Sequence, residues 1–121
     1  MRIVYSTTIE KVGKCAEDFF IENMFITFYE NVPSELAEYC FIHSENNLSE
    51  EIEPKDILYI GDEPYEIKAV GSVVNENLKL LGHITFNFKG INKAQVPGTL
   101  YLEQKKIAPI AVGTTLKIVR V

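Results

Sequence analysis

Residues 56–70, with the sequence DILYIGDEPYEIKAV, decide the fold class of this chain. Two runs rich in Ile, Leu, Tyr and Val, Asp56–Ile60 and Tyr65–Val70, flank the segment GDEP at 61–64. β-Branched and aromatic residues favour strands, whereas Gly, Asp and Pro favour tight turns. The segment therefore predicts a β-hairpin.

Further segments along the chain have the same strand-like composition. They are Arg2–Thr8, Met24–Tyr29, His83–Phe88, Leu100–Glu103 and Thr115–Val121. Short strands at this spacing are typical of a β-barrel or a β-sandwich. We therefore predict a mainly β protein, a small β-barrel or sandwich of about seven short strands with one or two short helices.

Two segments predict the short helices. Pro33–Tyr39 begins with proline in its first turn, follows Asn31 as a capping side chain, and carries acids near its N-terminus. Asn75–Leu81 is followed by Gly82, which predicts a helix end with positive φ. The periodicity of Ala16–Asn23 leaves a helical turn and a loop equally open.

The size of the chain predicts a single domain over residues 1–121. A chain of 121 residues with 46% apolar composition can bury one core but not a second. It has no run of eighteen apolar residues and no signal-like N-terminus, so we expect a cytoplasmic protein without membrane insertion. Its two cysteines, Cys15 and Cys40, are expected to be free thiols in that compartment.

Charge is distributed unevenly along the chain. The net charge of −5 argues against a nucleic acid partner, which would be bound by clustered Lys and Arg. Between Glu30 and Glu63 there are ten acidic residues and one basic residue, Lys55. These carboxylates either form solvated loops or steer a basic partner toward His43, which lies among them.

His43 is the candidate for covalent chemistry. It ends the apolar run Cys40–His43 and precedes the polar loop SENN at 44–47. A lone histidine in such a place is by default a packed or surface residue, but a neutral, exposed imidazole nitrogen can also carry a phosphoryl group. Ser44 and the backbone N–H groups of the loop could hold the phosphoryl oxygens. We expect the nearby acids to raise the pKa of the imidazole.

Two other kinds of chemistry remain open from the residues. Cys40, His43 and His83 could converge on a metal ion and support a metal-dependent enzyme, although no closely spaced Cys or His pair of the structural zinc type is present. Cys40 could instead be a nucleophile, but an apolar run around a cysteine is more typical of a buried, inert thiol. No Gly-rich nucleotide-binding loop occurs.

Several short motifs carry a resemblance to a known family over essentially the whole chain. They are YCFIH at 39–43, AVGSV at 69–73, Asn77-Leu78 with LGH at 81–83, and Gly90, Asn92, Ala94 and PGT at 97–99. In order and spacing they resemble the glucitol/sorbitol-specific enzyme IIA family of the bacterial phosphotransferase system, which is largely β.

The resemblance implies a phosphoryl carrier in sorbitol uptake. His43 matches the family's phosphorylated histidine, which takes a phosphoryl group from the phosphocarrier HPr and passes it to the IIB component, while the sugar alcohol enters through the membrane component IIC. No metal or soluble cofactor is implied. His83 and Ser44 are candidates for supporting the phosphoryl group, and His83 could equally be a strand-start histidine satisfied by the backbone.

Two features stay open at this point. A chain with this fold could have lost phosphoryl transfer and act as a non-catalytic regulatory or binding module. Exposed strand edges could also pair across a two-fold axis, so a homodimer is conceivable.

Overall fold

The computed structural model describes Met1–Val121 and contains nine strands, two α-helices and one 3₁₀ helix. The strands are β1 (Arg2–Val12), β2 (Met24–Tyr29), β3 (Phe41–His43), β4 (Asn47–Leu48), β5 (Ile57–Ile60), β6 (Glu63–Val70), β7 (Ile84–Asn87), β8 (Thr99–Leu102) and β9 (Thr115–Arg120). The helices are the 3₁₀ helix Ala16–Glu22, α1 (Ser34–Ala37) and α2 (Val74–Leu81).

The strands are joined edge to edge in the order β3-β2-β7-β8-β6-β5-β9-β1-β4. β3 also pairs with β1, so the hydrogen-bonded order returns on itself and leaves β4 outside the ring. Most neighbours are antiparallel, while β2–β3 and β7–β8 are parallel. This architecture agrees with the mainly β, barrel-like or sandwich-like class predicted from the sequence.

The hairpin at 56–70 is confirmed. β5 and β6 pair in antiparallel register from Ile57 opposite Glu66 to Ile60 opposite Glu63. Glu63 and Pro64 belong to β6, so the turn is shorter than GDEP. The two strands missed by the prediction are β3 and β4, which have three and two residues and are too short for a periodic pattern.

The helices differ from the prediction mainly in length. α1 has four residues, and its N-cap is Pro33 with no side-chain hydrogen bond, so the predicted Asn31 cap is wrong. α2 ends at Gly82, whose φ of 58° confirms the predicted left-handed helix end. The segment left open from periodicity forms the 3₁₀ helix, which packs beside β2.

A cluster of 21 buried apolar residues fills the interior of the strand ring. Its aromatic centre is Phe25, whose ring stacks on Phe86 with centroids 4.5 Å apart and meets Phe41 edge-on at 5.6 Å. Phe41 therefore anchors β3 in the core. β3 lies between β1 and β2, where His43 is paired with Ile9 on one side and Tyr29 on the other.

Part of the acidic segment is used in structural ion pairs. Asp56 is buried and accepts two hydrogen bonds from the Arg120 guanidinium, both at 2.9 Å. Glu50 contacts the same guanidinium at 3.0 Å and also pairs with Arg2. These carboxylates are bound within the fold. Glu30, which follows Tyr29, and Glu45, two residues after His43, are exposed instead.

No helix combines the length and apolar character needed to cross a membrane.

Candidate functional site

His43 lies at the end of β3 with its side chain fully buried, at 0% exposure. Its Nδ1 atom is 2.9 Å from the hydroxyl oxygen of Thr7 on β1. Its Nε2 atom is 2.7 Å from the carbonyl oxygen of Gly82, in the turn between α2 and β7. The Tyr29 ring meets the imidazole edge-on with centroids 6.2 Å apart. Both ring nitrogens are therefore engaged.

These partners define the protonation state of the ring. A carbonyl oxygen can only accept a hydrogen bond, so Nε2 of His43 carries the proton and donates it to Gly82. In the neutral ring Nδ1 is then an acceptor, and the Thr7 hydroxyl donates to it. The structure thus holds the Nε2–H tautomer, with the ring's nucleophilic lone pair directed at Thr7.

Asn46 ties the loop after His43 to Thr7 and to helix α2. The backbone N–H of Asn46 donates to the Thr7 hydroxyl oxygen at 3.2 Å, and its side-chain amide donates to the Leu78 carbonyl at 2.8 Å. The Tyr5 hydroxyl donates to the Asn46 side-chain oxygen at 3.0 Å. Asn46 has a φ of 40°, a left-handed conformation that asparagine tolerates better than most residues. One residue therefore joins β1, the loop and the last turn of α2.

Gly82 must be glycine for two reasons. Its φ of 58° lies in the left-handed region, and a Cβ atom there would be 2.7 Å from Cε1 and 2.8 Å from Nε2 of His43. Real Cβ atoms essentially never approach other heavy atoms so closely. The Gly82 backbone therefore lies directly against the imidazole edge and covers Nε2.

Burial lowers the pKa of His43, and the hydrogen bond to the Gly82 carbonyl offsets this effect only in part. The predicted rise of this pKa by nearby acids is therefore wrong, because those carboxylates lie elsewhere or are exposed. The expected exposed nitrogen is also not found, since both nitrogens are covered. The imidazole is neutral, as carrier chemistry requires, but it is closed off from solvent.

His83 and Ser44 flank this centre without bonding to the His43 ring. The Nδ1 atom of His83 is 3.0 Å from the Thr27 carbonyl, to which it donates, and its ring stacks on Phe28 at 4.4 Å. This backbone bond fits the alternative of a strand-start histidine. Ser44 is partly buried and directly follows His43, at the start of the loop.

The residues of the alternative chemistries do not form a reactive or metal-binding group. Cys40 packs with Phe28 and Ile42 in a small apolar cluster, and burial raises its pKa to about 11, which keeps the thiol protonated. Cys15 is likewise a free thiol. No group of three His, Cys, Asp or Glu side chains is arranged to hold a metal ion. Cys40 lies in an apolar cluster with Phe28, whereas the ring nitrogens of His43 and His83 that form hydrogen bonds are paired with groups other than Cys40.

Comparison with known proteins identifies the chain's relatives. The family model "PTS system glucitol/sorbitol-specific IIA component" matches residues 4–117. This chain belongs to that family. Glucitol/sorbitol-specific EIIA components of the phosphotransferase system from Shigella flexneri and Escherichia coli K12 are each 41% identical to it over 117 residues, covering 97% of this chain and 95% of each relative.

A solved structure agrees with this membership. The crystal structure of a phosphotransferase system IIA component from Enterococcus faecalis V583 superposes with a TM-score of 0.79 at 30% identity, covering 92% of this chain and 96% of that one. The resemblance predicted from the motifs is therefore confirmed. As a IIA component the chain is a phosphotransferase, a phosphoryl carrier in sugar-alcohol uptake.

Three groups around His43 in this IIA chain were not predicted from its sequence. Thr7 lies 36 positions and Gly82 39 positions from the histidine, and Asn46 reaches 32 positions to Leu78. Gly82 did carry a signal, as a helix end with positive φ, although its contact with the imidazole did not follow from it. Thr7 carried none, because a threonine in a strand is ordinary.

Proposed function

We propose that His43 is the residue that carries the phosphoryl group in this IIA component. The observation that carries the proposal is the neutral imidazole held between Thr7 and Gly82 at 2.9 and 2.7 Å. A neutral imidazole keeps a lone pair for attack on phosphorus, and two fixed hydrogen bonds orient the ring before transfer. His43 is also the only histidine in the family-like motif YCFIH.

The geometry favours Nε2 as the attacking nitrogen. Nδ1 faces Thr7, which is held in the β1–β9 ladder opposite Leu116, so uncovering it would open the sheet. Nε2 faces a turn, and the Gly82 carbonyl has one other side-chain partner, the Thr27 hydroxyl at 3.3 Å. Moving that turn breaks fewer bonds than moving β1. Transfer therefore proceeds from a conformation in which the Gly82 turn has swung away from the ring.

The partners follow from the chemistry of the family. HPr delivers the phosphoryl group to His43, the glucitol/sorbitol IIB component removes it, and the membrane component IIC admits the sugar alcohol. Exposed Glu30 and Glu45, next to Tyr29 and two residues after His43, support a basic docking partner. The chain works in the cytoplasm, as a single domain over residues 1–121.

The test is the intact mass of the protein after incubation with phosphoenolpyruvate, enzyme I and HPr. The wild-type chain should gain one phosphoryl group that is lost in acid, because phosphoramidates are acid-labile, and His43→Ala should gain none. His83→Ala serves as the matched histidine control and should keep the site, although transfer can slow. Phosphorylation that persists in a folded His43→Ala variant would contradict the proposal.

The complete burial of His43 favours one second candidate, a regulatory module that keeps the fold but does not pass the group on. Adding the IIB component to the phosphorylated chain separates the two functions. A carrier loses its phosphoryl group to IIB, whereas a regulatory module retains it. A homodimer is a separate prediction, and sedimentation velocity measures it directly.

A further inference from the structure

Thr7 and the Gly82 carbonyl, the two hydrogen-bond partners of the His43 ring, differ in whether they can donate a hydrogen bond. The Gly82 carbonyl can only accept a hydrogen bond, so it serves Nε2 only while that nitrogen carries a proton. A hydroxyl can donate or accept, so Thr7 can pair with Nδ1 whether or not Nδ1 is protonated. Thr7 is also fixed in place, being 2% exposed and part of the β1–β9 ladder.

Phosphoryl transfer to Nε2 requires a change of tautomer. At rest the proton is on Nε2, whereas attack needs a lone pair there. Once the Gly82 turn has moved, water takes the Nε2 proton and supplies the proton that Nδ1 gains, so the ring stays neutral. The Nε2 lone pair then forms the new N–P bond, and the N–P bond in the donor breaks, leaving its electron pair on the donor's nitrogen. The product ring carries the phosphoryl group on Nε2 and a proton on Nδ1.

We infer that Thr7 is a positioning residue for this reaction, donating to Nδ1 of His43 at rest and accepting from Nδ1–H in the phosphorylated state. The inference rests on the proposed function of His43. The Asn46 backbone N–H occupies one lone pair of the Thr7 hydroxyl oxygen at 3.2 Å, and a hydroxyl oxygen has a second lone pair with which it can accept from Nδ1–H. When the proton moves to Nδ1, the Thr7 hydroxyl therefore only has to rotate its own proton away, and the imidazole keeps its orientation.

The proposal explains how the ring stays aligned once the Gly82 bond is lost. When the turn moves away from Nε2, Thr7 is the one hydrogen-bond partner that the imidazole keeps. In the phosphorylated ring Nδ1–H carries part of a positive charge, and hydrogen bonds to charged groups are about twice as strong as neutral ones. Thr7 should therefore stabilise the phosphorylated state more than the resting state.

The test compares Thr7→Val, which removes the hydroxyl at nearly constant shape, with Thr7→Ser, which keeps it. Thr99→Val, at a buried strand position on β8 whose side chain makes no hydrogen bond to the site, controls for the change from threonine to valine in the core. The readout is the equilibrium of phosphoryl exchange between HPr and His43, measured by intact mass on variants shown to be folded by circular dichroism.

We expect Thr7→Val to shift this equilibrium toward phospho-HPr by about five- to tenfold, because the variant loses a neutral hydrogen bond at rest and a stronger, charge-assisted one after phosphorylation, and only their difference moves the equilibrium. Thr7→Ser should restore it to near the wild-type value, and Thr99→Val should leave it unchanged. A folded Thr7→Val variant with the wild-type equilibrium would overturn the inference.

A second measurement does not depend on a variant that folds. Nitrogen-15 NMR of the wild-type protein reports which His43 nitrogen is protonated, and should show Nε2–H at rest and a slowly exchanging Nδ1–H after phosphorylation. An unprotonated or freely exchanging Nδ1 in the phosphorylated protein would refute the role of Thr7. Phosphorylation of a residue other than His43 would instead refute the proposed function, so the two failures are distinguishable.

Discussion

Replacing Gly82 with alanine tests the closure of the site over His43. The added Cβ would lie 2.7 Å from Cε1 and 2.8 Å from Nε2 of the imidazole, and 3.1 Å from the Tyr29 Cβ. A non-glycine residue in the left-handed region costs about 1–2 kcal/mol. Forcing an atom into a packed site adds about 1–3 kcal/mol. We therefore expect Gly82→Ala to lower the free energy of unfolding by about 2–5 kcal/mol.

Gly61 supplies a matched control in the β5–β6 turn. Its φ of 59° is nearly that of Gly82, but a Cβ there meets no atom within 4 Å. Gly61→Ala therefore has the backbone cost alone, about 1–2 kcal/mol. The difference between the two variants isolates the contact with the imidazole, and at about 4 °C per kcal/mol for a domain of this size it amounts to roughly 4–12 °C in Tm.

Urea denaturation followed by circular dichroism gives both free energies, and a double-mutant cycle identifies the cause. In a His43→Ala background the ring is gone, so Gly82→Ala should cost about as much as Gly61→Ala, apart from the Tyr29 contact. Two results would refute a close contact between the Gly82 backbone and the imidazole. One is an equal loss of unfolding free energy for Gly82→Ala and Gly61→Ala in the wild-type background. The other is a loss for Gly82→Ala that stays the same when His43 is replaced by alanine.

Two further perturbations follow from the same centre. Burial lowers the pKa of His43 below its ordinary 6.5, so as pH falls the unfolded chain binds this proton before the folded chain does. The contribution of the neutral, buried His43 to the free energy of unfolding is therefore complete above about pH 6.5 and is lost below it. Thermal melts should show Tm falling with acid more steeply for wild type than for His43→Gln, and parallel curves would contradict the lowered pKa. Asn46→Gly keeps the positive φ but removes the side-chain hydrogen bonds to Tyr5 and Leu78. It should lower the free energy of unfolding by about 1–3 kcal/mol, as measured by urea titration. An unchanged value would mean that water replaces the side chain without loss.

Under the proposed function of His43, the lowered pKa and the closed turn together describe a resting carrier. A neutral imidazole is competent for attack, and burial protects a reactive ring from water and from adventitious electrophiles. The proposed transfer requires the Gly82 carbonyl, which holds the ring at rest, to move away from Nε2.

Local patterns in the sequence determined much of this protein. The hairpin of β5 and β6, the strand β2 and the left-handed helix end at Gly82 all follow from a few adjacent residues, because turn chemistry and side-chain shape act over short distances. The family motifs around His43 and Gly82 likewise pointed to the glucitol/sorbitol IIA components, and comparison confirmed that membership.

Only the tertiary structure decided the environment of the histidine. β3 has three residues and no periodicity of its own, yet its pairing with β1 and β2 closes the ring and buries His43. The imidazole's partners, Thr7 and Gly82, come from strands and turns more than thirty positions away. A sequence pattern reports which residues prefer a strand, but burial, tautomer and pKa depend on which strands meet, and that is set by packing of the whole core.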